Sequence, residues 1–330
     1  MIRIATEFLR SWRSMTSPYF EKDFFYSLVL LLYRAYLFIT GQLSSEGLFE
    51  DDIAFFAMVL IGLSASITGV FLVVKRSTQM INSLSHTILL GIVVSAYILQ
   101  ALGKSPFSLE GFFIAALITT TVTIVFSKLL TQFFHVQAES AVGFSFTTLF
   151  ALGILLSTVF FKNTHLGVEA VFGNIDALKY QDLIGLFWIS VINLIWIIVA
   201  YHRLKAWVFD PFFCITQGFS GKLSNFCMLL VNALTIVGGF QSVGVVLIIA
   251  LFCLPVLIAK MFSSNLKTII VLSILISFIV SWVSVAISRD CLTYYNIFVS
   301  TGAIASILLF AIYCVAGLTI YPKAVKVEHS

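Results

Sequence analysis

The sequence predicts an all-α, polytopic membrane protein, and three observations carry that reading. Of 330 residues, 60% are hydrophobic and only 10% charged, where soluble globular domains carry roughly 25% charged residues. Mean hydropathy is +1.07. The apolar residues gather in runs of about 20, the length that crosses a bilayer as a helix, and almost every Asp and Glu falls between those runs. Lipid is the solvent for most of this chain, and a soluble enzyme is excluded.

Taken in order, spans are read near 52–74, 81–101, 111–133, 140–161, 182–202, 225–240, 242–260, 267–288 and 295–318. The first follows Glu50, Asp51 and Asp52 and ends in Lys75–Arg76. The second opens with Asn82, Ser85 and His86. Glu139, before the fourth, reads as a charge at a helix N-terminus. Gly238–Gly239 and Gly244 interrupt the pair 225–240 and 242–260, and Pro255 lies inside its second half. A broken or re-entrant segment is expected there. An additional apolar stretch, Phe24 to Thr40, is short and has Arg34 near its middle. It lies in the interface as an amphipathic helix or spans as a tenth helix.

This divides the chain into an N-terminal segment 1–51, a transmembrane region 52–318 and a tail 319–330. Lys and Arg collect at one set of connections: Lys75–Arg76, Lys128, His202–Arg203–Lys205, Lys222, Lys260 and Lys267, with Lys323 and Lys326 in the tail. Glu46, Glu50, Asp51, Asp52, Glu110, Glu169, Asp176 and Asp182 collect at the other. The excess of Lys and Arg marks the cytoplasmic side, which places the C-terminus inside. Arg3, Arg10 and Arg13 favour a cytoplasmic N-terminus as well, which requires 24–40 to span and conflicts with an interfacial placement.

Five cysteines stand singly at 214, 227, 253, 291 and 314, without a metal or disulfide spacing, and read as small packing residues. No signal peptide is recognisable at the N-terminus. Neither Gly221–Lys222 nor Gly103–Lys104–Ser105 completes a phosphate-binding GxxxxGK[ST] loop. Any ATP hydrolysis linked to this chain belongs to another subunit.

Two places carry chemistry. Asn82 and His86 stand at i and i+4 and share one helix face. An imidazole is a ligand for Zn²⁺, Mn²⁺ or Fe²⁺, and an amide oxygen a weak neutral one. The same pair also serves as polar packing between helices. Ser85 and His86, adjacent on a helix, point about 100° apart and form no catalytic dyad. The second place is the polar connection Arg203 to Asn225, which contains FDPFFCITQG. Asp210 before Pro211 suits the start of a short helix and Gly218 its end. Its phenylalanines suit a groove on a cytosolic partner or a layer of lipid headgroups.

Taken together these blocks resemble the integral-membrane permease family of metal-ion ABC importers for zinc, manganese and iron. GVFLVVKRSTQMINSLSHTILLG is similar to the family's signature across the first two helices, with Ser85–His86 on its Ser–His and Gly91 on the glycine that follows. ESAVGFSFTTLFALGILL from Glu139, the turn VFGN, and SVGVVLIIALFCLPVLIA with Gly244 and Pro255 follow in the family's order. FDPFFCITQG resembles its coupling-helix motif, with Asp210 and Gly218 retained and Cys214 in place of the usual alanine. Asn82 stands where many members have an aspartate, and the N-terminal piece is longer than usual.

The resemblance implies a permease of the plasma (inner) membrane that carries a divalent metal ion by alternating access and holds no permanent cofactor. It implies a second permease subunit, two cytosolic ATP-binding subunits on the coupling loops and an extracytoplasmic metal-binding protein, with no nucleic-acid partner. His86 and Asn82 would be the transient metal ligands, and Asp210, Cys214 and Gly218 the coupling residues. A permease for siderophore, haem or cobalamin would share the helix number and the coupling loop without needing His86. A secondary transporter would need carboxylates inside the spans, and almost none is found there.

Overall fold

The computed structural model describes residues 18–19, 24–44, 47–103, 109–161, 175–210, 212, 216, 221–295, 297 and 299–328. These fold into ten α-helices without a strand: α1 Phe24–Ile39, α2 Glu50–Val74, α3 Thr78–Ala101, α4 Leu109–Phe133, α5 Ala138–Phe161, α6 Tyr180–Phe209, α7 Gly221–Val243, α8 Val245–Phe262, α9 Leu266–Tyr295 and α10 Thr301–Glu328. The nine helices α2 to α10 are each long and apolar enough to cross a membrane, whereas α1 is shorter. Helices are the expected solution, because hydrocarbon offers a backbone amide no partner outside its own segment. The helices extend beyond the apolar runs. α6 continues through His202, Arg203 and Lys205 to Phe209, and α9 reaches Tyr295.

The ends are closed by charge and by turn geometry. Asp52 accepts the Phe49 N–H at 3.0 Å, and Asp182 accepts the Lys179 N–H at 3.0 Å; each carboxylate sits in the first turn of its helix, where the dipole favours it. At its other end α2 stops in a tight turn. Arg76 has φ +62°, its N–H donates to the Val73 carbonyl at 3.1 Å, and the Ser77 N–H donates to the Leu72 carbonyl at 2.9 Å. That is the paired bonding of a Schellman cap with arginine where glycine is usual.

α2 is the axis of the bundle, packed against α6, α7, α8 and α9. Several of its contacts are small and polar. Ser64 Oγ donates to Ser190 Oγ at 2.8 Å, Ser66 and Ser277 hydroxyls lie 2.7 Å apart, and a Cβ on Gly69 would lie 2.9 Å from the Phe252 carbonyl. Lipid supplies no hydrophobic drive between helices, so close backbone approach and hydrogen bonds hold them. α3 is inserted in the same way between α4 and α5. A Cβ on Gly91 would fall 2.0 Å from Thr119 Oγ1 and 2.7 Å from the Ala115 carbonyl, and one on Gly153 would fall 2.9 Å from the Leu90 nitrogen.

The expected break between 225 and 260 is confined to one residue. α7 ends at Val243, α8 starts at Val245, and Gly244 between them has φ +79°. Gly238 and Gly239 do not interrupt α7. They lie inside it, where a Cβ would press on Ile189 and on Ile248 and Ile61, so their role is close packing. α8 continues through Pro255.

α1 packs beside α9 and reaches the start of α2 at the end of the bundle that holds Glu50, Asp51 and Asp52. Arg34 near its middle and Tyr19 before its start both reach Asp52, while Phe38 near its end meets Phe56 and Tyr180. Trp282 of α9 donates to the Leu28 carbonyl at 2.8 Å. Arg34 thus stands level with the first turn of α2, while Leu28, farther back along α1, meets Trp282, seven residues before the Arg289 that pairs with Asp51.

Candidate functional site

His86 stands on α3, half-buried, eight residues after Thr78. α5 frames its ring: the Phe146 centroid lies 5.1 Å away at 32° and that of Phe150 5.4 Å away at 71°. The i, i+4 spacing of these phenylalanines puts both on the face of α5 that meets α3. The Nδ1 of His86 is buried and has no hydrogen-bond partner among the described residues. Asn82, also half-buried, precedes it by one turn. Ser85 turns back on its own helix and donates to the Ile81 carbonyl at 2.9 Å, so it takes no part in a dyad.

Around this point the bundle is polar without being charged. Ser83 on α3 and Thr119, Thr120 and Thr123 on α4 keep buried hydroxyls without a partner among the described residues. Sequence reasoning passed over a second polar seam between α6 and α7. Asn193 Nδ2 donates to Thr235 Oγ1 at 2.7 Å, and the amide oxygens of Asn193 and Asn232 are buried without a partner among the described residues. The signal for it was two asparagines inside apolar runs. Among the described residues no three His, Cys, Asp or Glu side chains come together as a metal cage. One imidazole with an amide one turn away is a weak, neutral donor pair for a transition-metal ion.

The second expected site begins where α6 ends. Asp210 is its C-cap, exposed, with its N–H donating to the Ala206 carbonyl at 2.8 Å. Cys214 and Gly218 lie outside the described residues, as do Pro211 and the turn Gly173–Asn174. Just before Asp210, Trp207 is buried, and the Lys75 ammonium sits 3.3 Å from its ring centroid. Sequence reading had named Lys75 only as a topological charge. Of the four described cysteines, Cys227, Cys253 and Cys291 are partly buried, while Cys314 is exposed.

Among the described residues, nine apolar helices of membrane-spanning length, one of them extended beyond its apolar run into a polar connection, fit one class: a multi-pass membrane permease. The chain belongs to the ABC 3 transport family, whose model matches residues 52–320. It is 31% identical over 310 residues, 93% of this chain and 96% of the other, to a Chlamydia muridarum protein named "Probable metal transport system membrane protein". It is 32% identical to the manganese transport system membrane protein MntD of Bacillus subtilis, over 70% of this chain and 83% of that one. Among solved structures, PsaBC from Streptococcus pneumoniae in complex with Fab has the same fold, with a TM-score of 0.69 at 22% identity over 80% of this chain and 90% of that one.

Proposed function

We propose that this chain is one permease subunit of an ABC importer that moves a divalent transition-metal ion across the plasma (inner) membrane, with His86 and Asn82 as transient ligands. The observation that carries the reading is the Nδ1 of His86, buried in a membrane helix without a hydrogen bond among the described residues. Such a nitrogen is costly to keep, and a passing Mn²⁺, Zn²⁺ or Fe²⁺ gives it a use. The metal and manganese transport names of the two relatives support a metal as cargo. Two neutral donors bind weakly enough to release, as conduction requires.

In this reading the acidic end of the bundle faces outward and receives the ion from a metal-binding protein. The basic end and the C-terminus face the cytoplasm, following the Lys/Arg bias. ATP is hydrolysed on two separate cytosolic subunits that dock on the connection 203–225, with Asp210, Cys214 and Gly218 at the contact. A second permease subunit completes the pathway, and an aspartate there would supply the carboxylate that Asn82 does not. Residues 52–318 form the permease domain, and α1 packs beside it at its outer end. The fold reorients around Gly244 and the α8 segment that contains Pro255 when the ATP-binding subunits close.

The test is uptake of Mn, Zn and Fe by elemental analysis in cells that express the whole complex. His86→Ala should abolish uptake of one metal while the complex still assembles, and Asn82→Asp should tighten or shift the selectivity. Unchanged uptake of all three metals in His86→Ala would remove His86 from the path and make an organic metal chelate the cargo. Asp210→Ala should lower transport and transport-coupled ATP hydrolysis together.

A further inference from the structure

We propose that Lys75 and Trp207 form a clamp that passes movement of the coupling loop to the helix carrying His86, an inference that rests on the permease reading above. Trp207 lies in the last turn of α6, three residues before Asp210, and is 2% exposed. The Asp210 N–H still bonds to the Ala206 carbonyl, so the helix register runs unbroken from the ring to the start of the loop. Any push on Asp210 therefore reaches Trp207 as a rigid displacement.

From Trp207 the movement passes to α2. The Lys75 ammonium stands 3.3 Å from the ring centroid, and one turn farther into the bundle Phe71 meets Tyr201 edge-on at 6.5 Å. The ends of α2 and α6 are thus joined at two points. Lys75 is also the cap residue of α2, and only Arg76 and Ser77 separate it from α3. That link cannot swivel freely, because the Arg76 and Ser77 amides are bonded back to Val73 and Leu72. A shift of Lys75 must be carried into α3, where His86 lies eight residues on, about 12 Å along the axis.

A leucine could cover Trp207 as well as Lys75 does. What an ammonium adds is direction, since its attraction is to the ring face and fades when it leaves that face. Trp207 and Lys75 are positioning residues that touch neither the ion nor the nucleotide. Their removal should uncouple the two processes while leaving each partner reaction intact.

The experiment uses the complete complex, with its ATP-binding subunits and binding protein, in liposomes supplied with Mn²⁺ or Zn²⁺. It reads metal moved per ATP hydrolysed. Trp207→Leu and Lys75→Met should each lower that ratio about fivefold, the lower range of measured site-to-site couplings, while ATP hydrolysis continues. Trp207→Phe and Lys75→Arg, which keep a ring face and a cation, should stay near the wild-type ratio. Uptake and hydrolysis falling in step, with the ratio unchanged, would overturn the clamp. Should Trp207→Leu fail to assemble, Lys75→Met alone decides, since Lys75 is only partly buried. His86→Ala separates the two claims. An unchanged ratio in the clamp variants beside an inactive His86→Ala overturns the clamp alone. A lowered ratio beside wild-type uptake in His86→Ala keeps the clamp and removes His86 from the path.

Discussion

Asp52 displays what a carboxylate needs in order to be buried at the end of this bundle. It is 2% exposed and accepts from the Tyr19 hydroxyl, the Arg34 guanidinium at 2.7 Å and the Phe49 amide. Arg34→Met would leave that carboxylate without its counter-charge and should cost about 3–5 kcal/mol, read as a lowered melting temperature in detergent. Tyr19→Phe removes one neutral donor and should cost about 1–2 kcal/mol. Burial first, and then the Asp52 carboxylate, hold the Tyr19 phenol well above the usual tyrosine range. The folded state therefore keeps this proton more tightly than the unfolded chain. Its contribution is complete below about pH 10, the ordinary tyrosine value, and is lost as pH rises beyond it. The wild type should lose stability above that pH by more than Tyr19→Phe does. His86 was legible in the sequence because an imidazole in an apolar run stands out. Phe146 and Phe150 were not, since phenylalanine is the default filling of such runs and only the fold brings α5 to α3.

At the scale of the element, the nine spans were legible because the bilayer imposes both their length and their composition. Their ends were less so. The α6 stretch His202–Lys205 is polar enough to read as a loop, yet it continues the helix beyond the apolar run. Gly238 and Gly239 read as a break, since glycine signals both flexibility and close approach, and only the position of Ile189 and Ile248 separates the two. Gly91 gives the sharpest prediction of this kind. Gly91→Ala should force α3 from α4 at a cost of about 1–3 kcal/mol, seen as a lower monodisperse yield. Adding Thr119→Ala should recover only part of it, because the Ala115 carbonyl, 2.7 Å from the new Cβ, remains.

For the whole molecule, the alternation of charge between the two ends predicts an orientation that labelling can check. In a cysteine-free background, a cysteine at position 50 should react with an impermeant maleimide in intact cells. One at position 267 should react only after permeabilisation. The sequence makes this expectation legible, because Lys and Arg placement is a whole-chain property. It left the position of α1 undecided, since an arginine inside a sixteen-residue apolar helix fits a snorkelling span as well as a surface helix. What the sequence could not give is the partner of that arginine, Asp52, eighteen residues away. Among the described residues the carboxylates lie at or near helix ends, and the rings against His86 belong to two phenylalanines. In the proposed import a divalent ion carries both of its charges across, because fixed groups along a path do not travel with it. On that reading the membrane field acts on the full double charge, worth about 4.6 kcal/mol per 100 mV, and would add an electrophoretic pull toward a negative cytoplasm to the work done by ATP.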